Sequence, residues 1–343
     1  MQIKCLYKQL NGYMQRLVFL DIAKAICIIL VVIGHYHPEN SPEWYNVIWK
    51  FIYSFHMPLF MFASGYIYIA TKREHETYKG FIVKKVKRLM VPYLATSFLI
   101  ITLKLITQGN AYVANPVTLS SYAKMFYLPE AGYFLWFIWA LWWMFVVVPL
   151  FRTPKSRLAL FVISIVLAYL PLHLTDLFCI NQFKSMFVYF MLGVIAFEKK
   201  DCISRIKMHP LVVYLSFVVV ECLCLFNIGG GILSILNEIV PFIGIAAVLQ
   251  LSVQMESLVK SDKPNWILQI SVSSYIIYLF HTTFEGFAKA VLHKIPGVWN
   301  TGNDWVFCLT AIIVIVVGVV FPILLHKYIL QKYHITRLLF GLK

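Results

Sequence analysis

The chain has 343 residues, of which 60% are hydrophobic and 13% charged, and its mean hydropathy is +0.76. A water-soluble domain carries about 25% charged residues, so this chain has too little polar surface to cover a fold immersed in water, and a soluble enzyme is excluded. A formal charge of +15 would suggest a nucleic-acid partner for a soluble protein; beside a bilayer it reports basic loops instead, and no nucleic acid is expected. The seven cysteines show neither a CxxC nor a Cys/His spacing, so neither a disulfide frame nor a zinc site is indicated.

Apolar runs near the ~20-residue length of a bilayer span fall at about 17–36, 47–70, 89–107, 133–151, 157–173, 183–198, 210–228, 230–252, 267–292 and 305–330. Residues 1–16 are mixed and basic, and the run that follows contains Asp21 and Lys24. A retained first helix is therefore expected rather than a cleaved signal. Pro38, Pro42, Pro116, Pro154, Pro210, Pro264 and Pro296 punctuate the junctions. Basic residues alternate between them. Segments 1–16, 71–88, 152–157, 199–207, 254–266 and 327–343 hold 23 Lys and Arg, whereas the opposite loops hold Lys124, Lys184 and Lys294. The positive-inside rule then puts both termini in the cytoplasm, which requires an even number of spans. The expectation is an all-α membrane protein of about ten transmembrane helices, N-in and C-in, forming a single polytopic domain over 1–343 in the cell inner membrane.

Ionisable residues inside spans are costly and mark function or pairing. The first run carries Asp21, Lys24 and His35. At 100° per residue all three lie on one stripe, with Lys24 and His35 roughly 16 Å apart along the axis. The second carries Ser54, His56 and Pro58, then Ser64 and Gly65; the proline permits a kink and the glycine close approach of another helix. In the ninth, Ser271, Ser274, Tyr278, His281 and Glu285 form a polar stripe that a lipid-facing helix would not carry. The predicted topology puts His35, His56 and His281 in the outer half of the membrane, which suggests one site. No HxxxH or carboxylate spacing accompanies them, so no metal is expected. Lys104, Glu221, Asn237 and Glu238 are further polar residues in spans, which the sequence alone cannot assign to one face. The aromatic stretch Tyr133 to Trp139, with Trp136 at its middle, reads as an interfacial belt or as a stacking platform for a sugar.

These segments resemble the acyltransferase-3 family of membrane O-acyltransferases, especially its fucose 4-O-acetylase-like branch. The resemblance rests on Leu20-Asp21-Ile22-Ala23-Lys24 followed after ten residues by His35. It continues through Ser54-Phe55-His56-Met57-Pro58 with Ser64-Gly65-Tyr66, Lys84-Lys85-Val86-Lys87-Arg88 with Val91-Pro92-Tyr93, and Ser274 to His281. It implies transfer of an acyl group, usually acetyl from acetyl-CoA, to a hydroxyl of a glycan or lipid-linked sugar, with no tightly bound cofactor. In that scheme His35 is the general base, Asp21 orients Lys24 or sets the local charge, and His56 and His281 complete the catalytic set. Lys84, Lys85, Lys87 and Arg88 would receive the CoA phosphates, with the pantetheine arm running from Lys24 toward His35. Tyr278 or Ser64 would donate to the developing oxyanion, a choice the residues leave open, and Trp136 would contact the acceptor. A transporter or flippase for a lipid-linked sugar is the rival reading, since polar stripes serve transport equally. Oligomeric state is not readable.

Overall fold

The computed structural model describes residues 17–39, 41–72, 75–109, 113, 115–205, 208–259, 265–299 and 302–342. None of the described residues is in a strand. A helix overlaps each of the ten apolar runs: α1 Val18–His35, α2 Glu43–Ala70, α3 Val91–Thr107, α4 Trp136–Val147, α5 Pro154–Tyr169, α6 Ile180–Glu198, α7 Pro210–Leu225, α8 Leu233–Gln254, α9 Trp266–Leu292 and α10 Asp304–Leu325.

Local chemistry accounts for the boundaries. Pro42 precedes α2, and Pro154 and Pro210 occupy the first turns of α5 and α7, where a missing N–H costs nothing. Thr153 and Ser156 form a capping box on α5, while Asn265 and Asn303 cap α9 and α10. A short helix, Tyr78–Lys85, runs through a π turn at Val86–Met90 into α3, giving one continuous stretch to Thr107.

Among the described residues, seven stretches are long and apolar enough to cross a bilayer: Val18–His35, Tyr78–Thr107, Tyr133–Leu150, Leu177–Glu198, Gly230–Gln254, Trp266–Leu292 and Asp304–Leu330. That is fewer than the about ten expected, and the three remaining helices show why. α5 and α7 have only 16 residues each, and α5 spends its first turn on Lys155 and Arg157. α2 has 28 residues but carries Glu43, Lys50, Ser54 and His56. His56 is buried inside the bundle, and a helix whose polar groups face inward need not be apolar all round.

α1 is the centre of the bundle. It packs against α2, α8, α9 and α10, and Leu20, Ile22, Ala25, Ile28, Val31 and Val32 along it are almost wholly buried. Outward faces are apolar as well: Val162 and Val166 of α5, Leu215 and Val219 of α7, and Ile312 and Val316 of α10 are exposed. An apolar belt of that extent belongs in lipid, not water. Exposed cations, among them Lys79, Lys87, Arg88, Lys155, Lys199 and Lys200, occupy the end of the bundle where α2, α4 and α6 finish and α3 and α5 begin. The basic residues of 1–16, with Arg73, Lys207, Lys260, Lys263 and Lys343, lie outside the described residues.

Lipid tails are as apolar as leucine, so close packing rather than burial from water holds such helices together. The most extensive helix pair is α2 with α6, and its backbones meet at two glycines. A Cβ on Gly65 would fall 2.0 Å from the carbonyl oxygen of Phe190, and one on Gly193 would fall 2.1 Å from that of Phe62. No side chain fits either gap, and backbone cannot yield as a flexible side chain would. Gly65→Leu or Gly193→Leu is expected to destabilise the bundle by about 3 kcal/mol or more. The change should appear as a lower melting midpoint of the detergent-purified protein, whereas Gly109→Ala, which meets nothing within 4 Å, should leave the midpoint unchanged.

Candidate active site

A cavity of about 780 Å³ opens at the end of the bundle where α1, α3 and α9 finish and α2, α4 and α6 begin. His35 and His56 both line it, together with Ser54, Trp136, Tyr278 and Glu285. The cavity and most of the exposed cations therefore lie at opposite ends of the bundle, with Lys50 and Lys294 exposed at the cavity end.

His35 is the last residue of α1. Its ring lies against that of His281 with centroids 4.8 Å apart and planes at 61°. Phe134, from the turn that leads into α4, touches both rings at 6.0 and 5.3 Å. His281 is fully buried. Its Nδ1 lies 3.0 Å from the Ile277 carbonyl and 2.8 Å from that of Tyr278. A carbonyl only accepts, so Nδ1 carries the proton and the neutral ring keeps its lone pair at Nε2. That Nε2 is buried without a hydrogen-bond partner among the described residues. His56 is set in the same way: Nδ1 donates to the Ile52 carbonyl at 2.7 Å, which again leaves Nε2 as the acceptor. The His56 carbonyl takes the Cys27 thiol at 2.9 Å and so ties this part of α2 to α1.

α1 and α9 run in the same direction, and the polar stripe of α9 faces α1 along its length. Near the start of both helices, the Ser271 hydroxyl donates to Asp21 Oδ1 at 3.0 Å. The same oxygen takes Lys24 Nζ at 2.9 Å. Near their far ends, Lys289 Nζ donates to the His35 carbonyl at 3.3 Å and lies 3.8 Å from Glu285. Glu285 is 1% exposed and fits because α10 offers Gly318, where a Cβ would come within 2.9 Å of Glu285 Cγ. Among the described residues no group of three or more His, Cys, Asp or Glu side chains converges on one point as metal ligands would.

The sequence-derived candidates divide into three groups. His35, His56, His281, Tyr278 and Trp136 come together at the cavity, His281 behind His35 rather than on the wall. The Tyr278 hydroxyl donates its proton to the Phe134 carbonyl at 2.6 Å, so it serves the fold of that corner first. Asp21 and Lys24 pair with each other near the other end of α1, and Asp21 also takes the Ser271 hydroxyl of α9. The cavity reaches Val31 but neither Ile28 nor Lys24, and Ile28 is fully buried. Ser64 does not line the cavity. At the basic end, Lys84 pairs with Glu76, Lys85 Nζ stands 3.3 Å from the centre of the Phe145 ring, and Lys87 and Arg88 are exposed.

Tyr53, Phe134, Gln182 and Lys289 also shape the cavity and were not singled out from the sequence. Lys289 had one available signal, its i,i+4 spacing from Glu285 at the end of the polar stripe. Phe134 had none, because a lone aromatic in an aromatic belt looks like its neighbours.

The Acyltransferase domain family, acyltransferase-3, matches residues 17–327. The nodulation protein NolL of Sinorhizobium fredii (strain NBRC 101917 / NGR234) is 27% identical over 226 residues, covering 64% of this chain and 59% of that protein. NolL of Mesorhizobium japonicum (strain LMG 29417 / CECT 9101 / MAFF 303099) is 31% identical over 163 residues, 45% of this chain and 42% of that protein. The chain thus spans about half the length of the curated relatives it matches. No solved structure matches. The family match takes in all ten helices and every residue around the cavity, from His35 to Lys289; the chain belongs to the acyltransferase-3 family.

Proposed function

We propose that the chain is a multi-pass O-acyltransferase of the cell inner membrane, with all ten helices crossing and both termini cytoplasmic. It moves an acetyl group from cytoplasmic acetyl-CoA to a hydroxyl of a surface polysaccharide or lipid-linked sugar. The observation that carries the reading is the pair of imidazoles on one cavity wall, His35 and His56, with His281 braced against His35, inside a chain of the acyltransferase-3 family.

The chemistry follows from the groups. A sugar hydroxyl is a weak nucleophile at neutral pH. His35 takes its proton as the oxygen attacks the thioester carbonyl. The C–O bond forms, the tetrahedral oxyanion collapses, and the C–S bond breaks. The leaving thiolate recovers the proton from His35. His56, whose tautomer is set by Ile52, accepts a hydrogen bond at Nε2 from a neighbouring hydroxyl of the acceptor and so aligns it, the reacting hydroxyl's single proton going to His35. His281, locked by the carbonyls of Ile277 and Tyr278, steadies the His35 ring. On the cytoplasmic face the exposed Lys87 and Arg88 receive the CoA phosphates. Because Ile28 is fully buried between that face and the cavity, the acyl group reaches His35 only when the packing around Ile28 opens.

The reading is tested by supplying radiolabelled acetyl-CoA to membranes with and without the protein. Label in an alkali-labile glycan or lipid fraction is the expected outcome; sugar movement with no consumption of acetyl-CoA would favour transport instead. In purified protein, His35→Ala is expected to lower kcat by about 10³-fold with an unchanged gel-filtration profile, and normal turnover in that variant would sink the assignment. Arg88→Ala should raise the KM for acetyl-CoA about 5- to 10-fold while leaving kcat near the parent value, as read from initial rates at saturating acceptor.

A further inference from the structure

One lobe of the cavity holds a cation that the transfer chemistry does not use. Lys104, a turn before the end of α3, lines the wall beside Val113 and Asn115 of the connection that follows. Its Nζ donates to the Asn115 carbonyl at 3.0 Å. Gln108 and Val117 also pair: Gln108 Nε2 donates to the Val117 carbonyl, and Gln108 Oε1 accepts from the Val117 N–H, both at 3.0 Å. The ammonium group is therefore held in place, and one of its three donors is used by the carbonyl. Among the described residues no carboxylate lies within ion-pairing distance of Lys104. The carboxylate on the cavity wall, Glu285, stands 3.8 Å from a different lysine, Lys289. The wall thus carries two cations against one anion in a predominantly apolar space.

We propose that the acceptor bound in this cavity bears an anionic group, a carboxylate or a phosphate, and that Lys104 is the residue that selects it. Its bond to the Asn115 carbonyl is solvent-exposed, so an anion entering the cavity can reach the ammonium group, and a charge-assisted hydrogen bond to that anion is among the stronger polar contacts a site can make. Lys104 is a specificity residue in this scheme, and the proton transfer stays with His35. The inference takes the acceptor site from the proposed function but needs no donor and no turnover.

Its test is binding of three aryl probes to the purified full chain in the absence of acetyl-CoA, by microscale thermophoresis: 4-nitrophenyl glucoside, 4-nitrophenyl glucuronide and 4-nitrophenyl phosphate. At least one anionic probe is expected to bind about 10-fold more tightly than the neutral glucoside, and whether glucuronide or phosphate leads tells a carboxylate from a phosphate acceptor. Lys104→Met should erase the preference, and Lys104→Arg should retain it. Equal response to neutral and anionic probes, including none to any of them, overturns the inference, as does a preference that survives in Lys104→Met. In the parent chain, no preference for an anionic probe with acetyl transfer intact condemns Lys104 selectivity alone; a preference without acetyl transfer condemns the transferase reading alone.

Discussion

The pairing of α1 with α9 is the interaction on which the rest of the structure depends. Away from water, every polar group must find its partner within the protein. Asp21, Lys24 and His35 on α1, and Ser271, His281, Glu285 and Lys289 on α9, would be prohibitive if they faced lipid. Arranged on parallel helices, they answer one another: Ser271 with Asp21 at the start and Lys289 with the His35 carbonyl at the end, with the imidazoles of His35 and His281 in contact between. Register along this pair sets the position of the His35 ring.

From that pairing the division of the molecule into two ends follows. α2 wraps the other side of α1, joined to it where the Cys27 thiol meets the His56 carbonyl, and brings His56 to the same cavity as His35. α6 holds α2 through the glycine contacts at Gly65 and Gly193, so the position of His56 rests on a crossing that admits no side chain. At the far end, Lys87 and Arg88 stand exposed. Between the two ends lies the tight layer around Ile28.

Much of the architecture was legible in the chain. The apolar runs located a helix each, because a span must satisfy its own backbone and a run of that length has no other way to do so. The stripe on α9 announced an inward face, and the structure turns it toward α1. The eleven-residue interval from Lys24 to His35 put both on one face of α1, but it did not show that Ile28 between them is fully buried. Helical geometry reports direction from the axis and says nothing of what fills the space beyond. Tyr278 illustrates the same limit, since its suitability as a donor depended on where its one proton goes, and the Phe134 carbonyl takes it.

By itself, then, the sequence determined that this is a helical membrane protein, where its helices lie, and which few ionisable residues had to matter, because the bilayer penalises charge and unpaired backbone so heavily that composition and spacing record the outcome. Tertiary structure decided which of those residues meet. It set His35 against His281, left Ser64 off the cavity wall, paired Lys24 with Asp21 and Asp21 with Ser271, and put Lys104 on the cavity wall. Those outcomes turn on helix order, register and ångström-scale packing across residues more than 200 positions apart, such as Asp21 and Ser271, and contacts of that kind leave no periodic trace in a single chain.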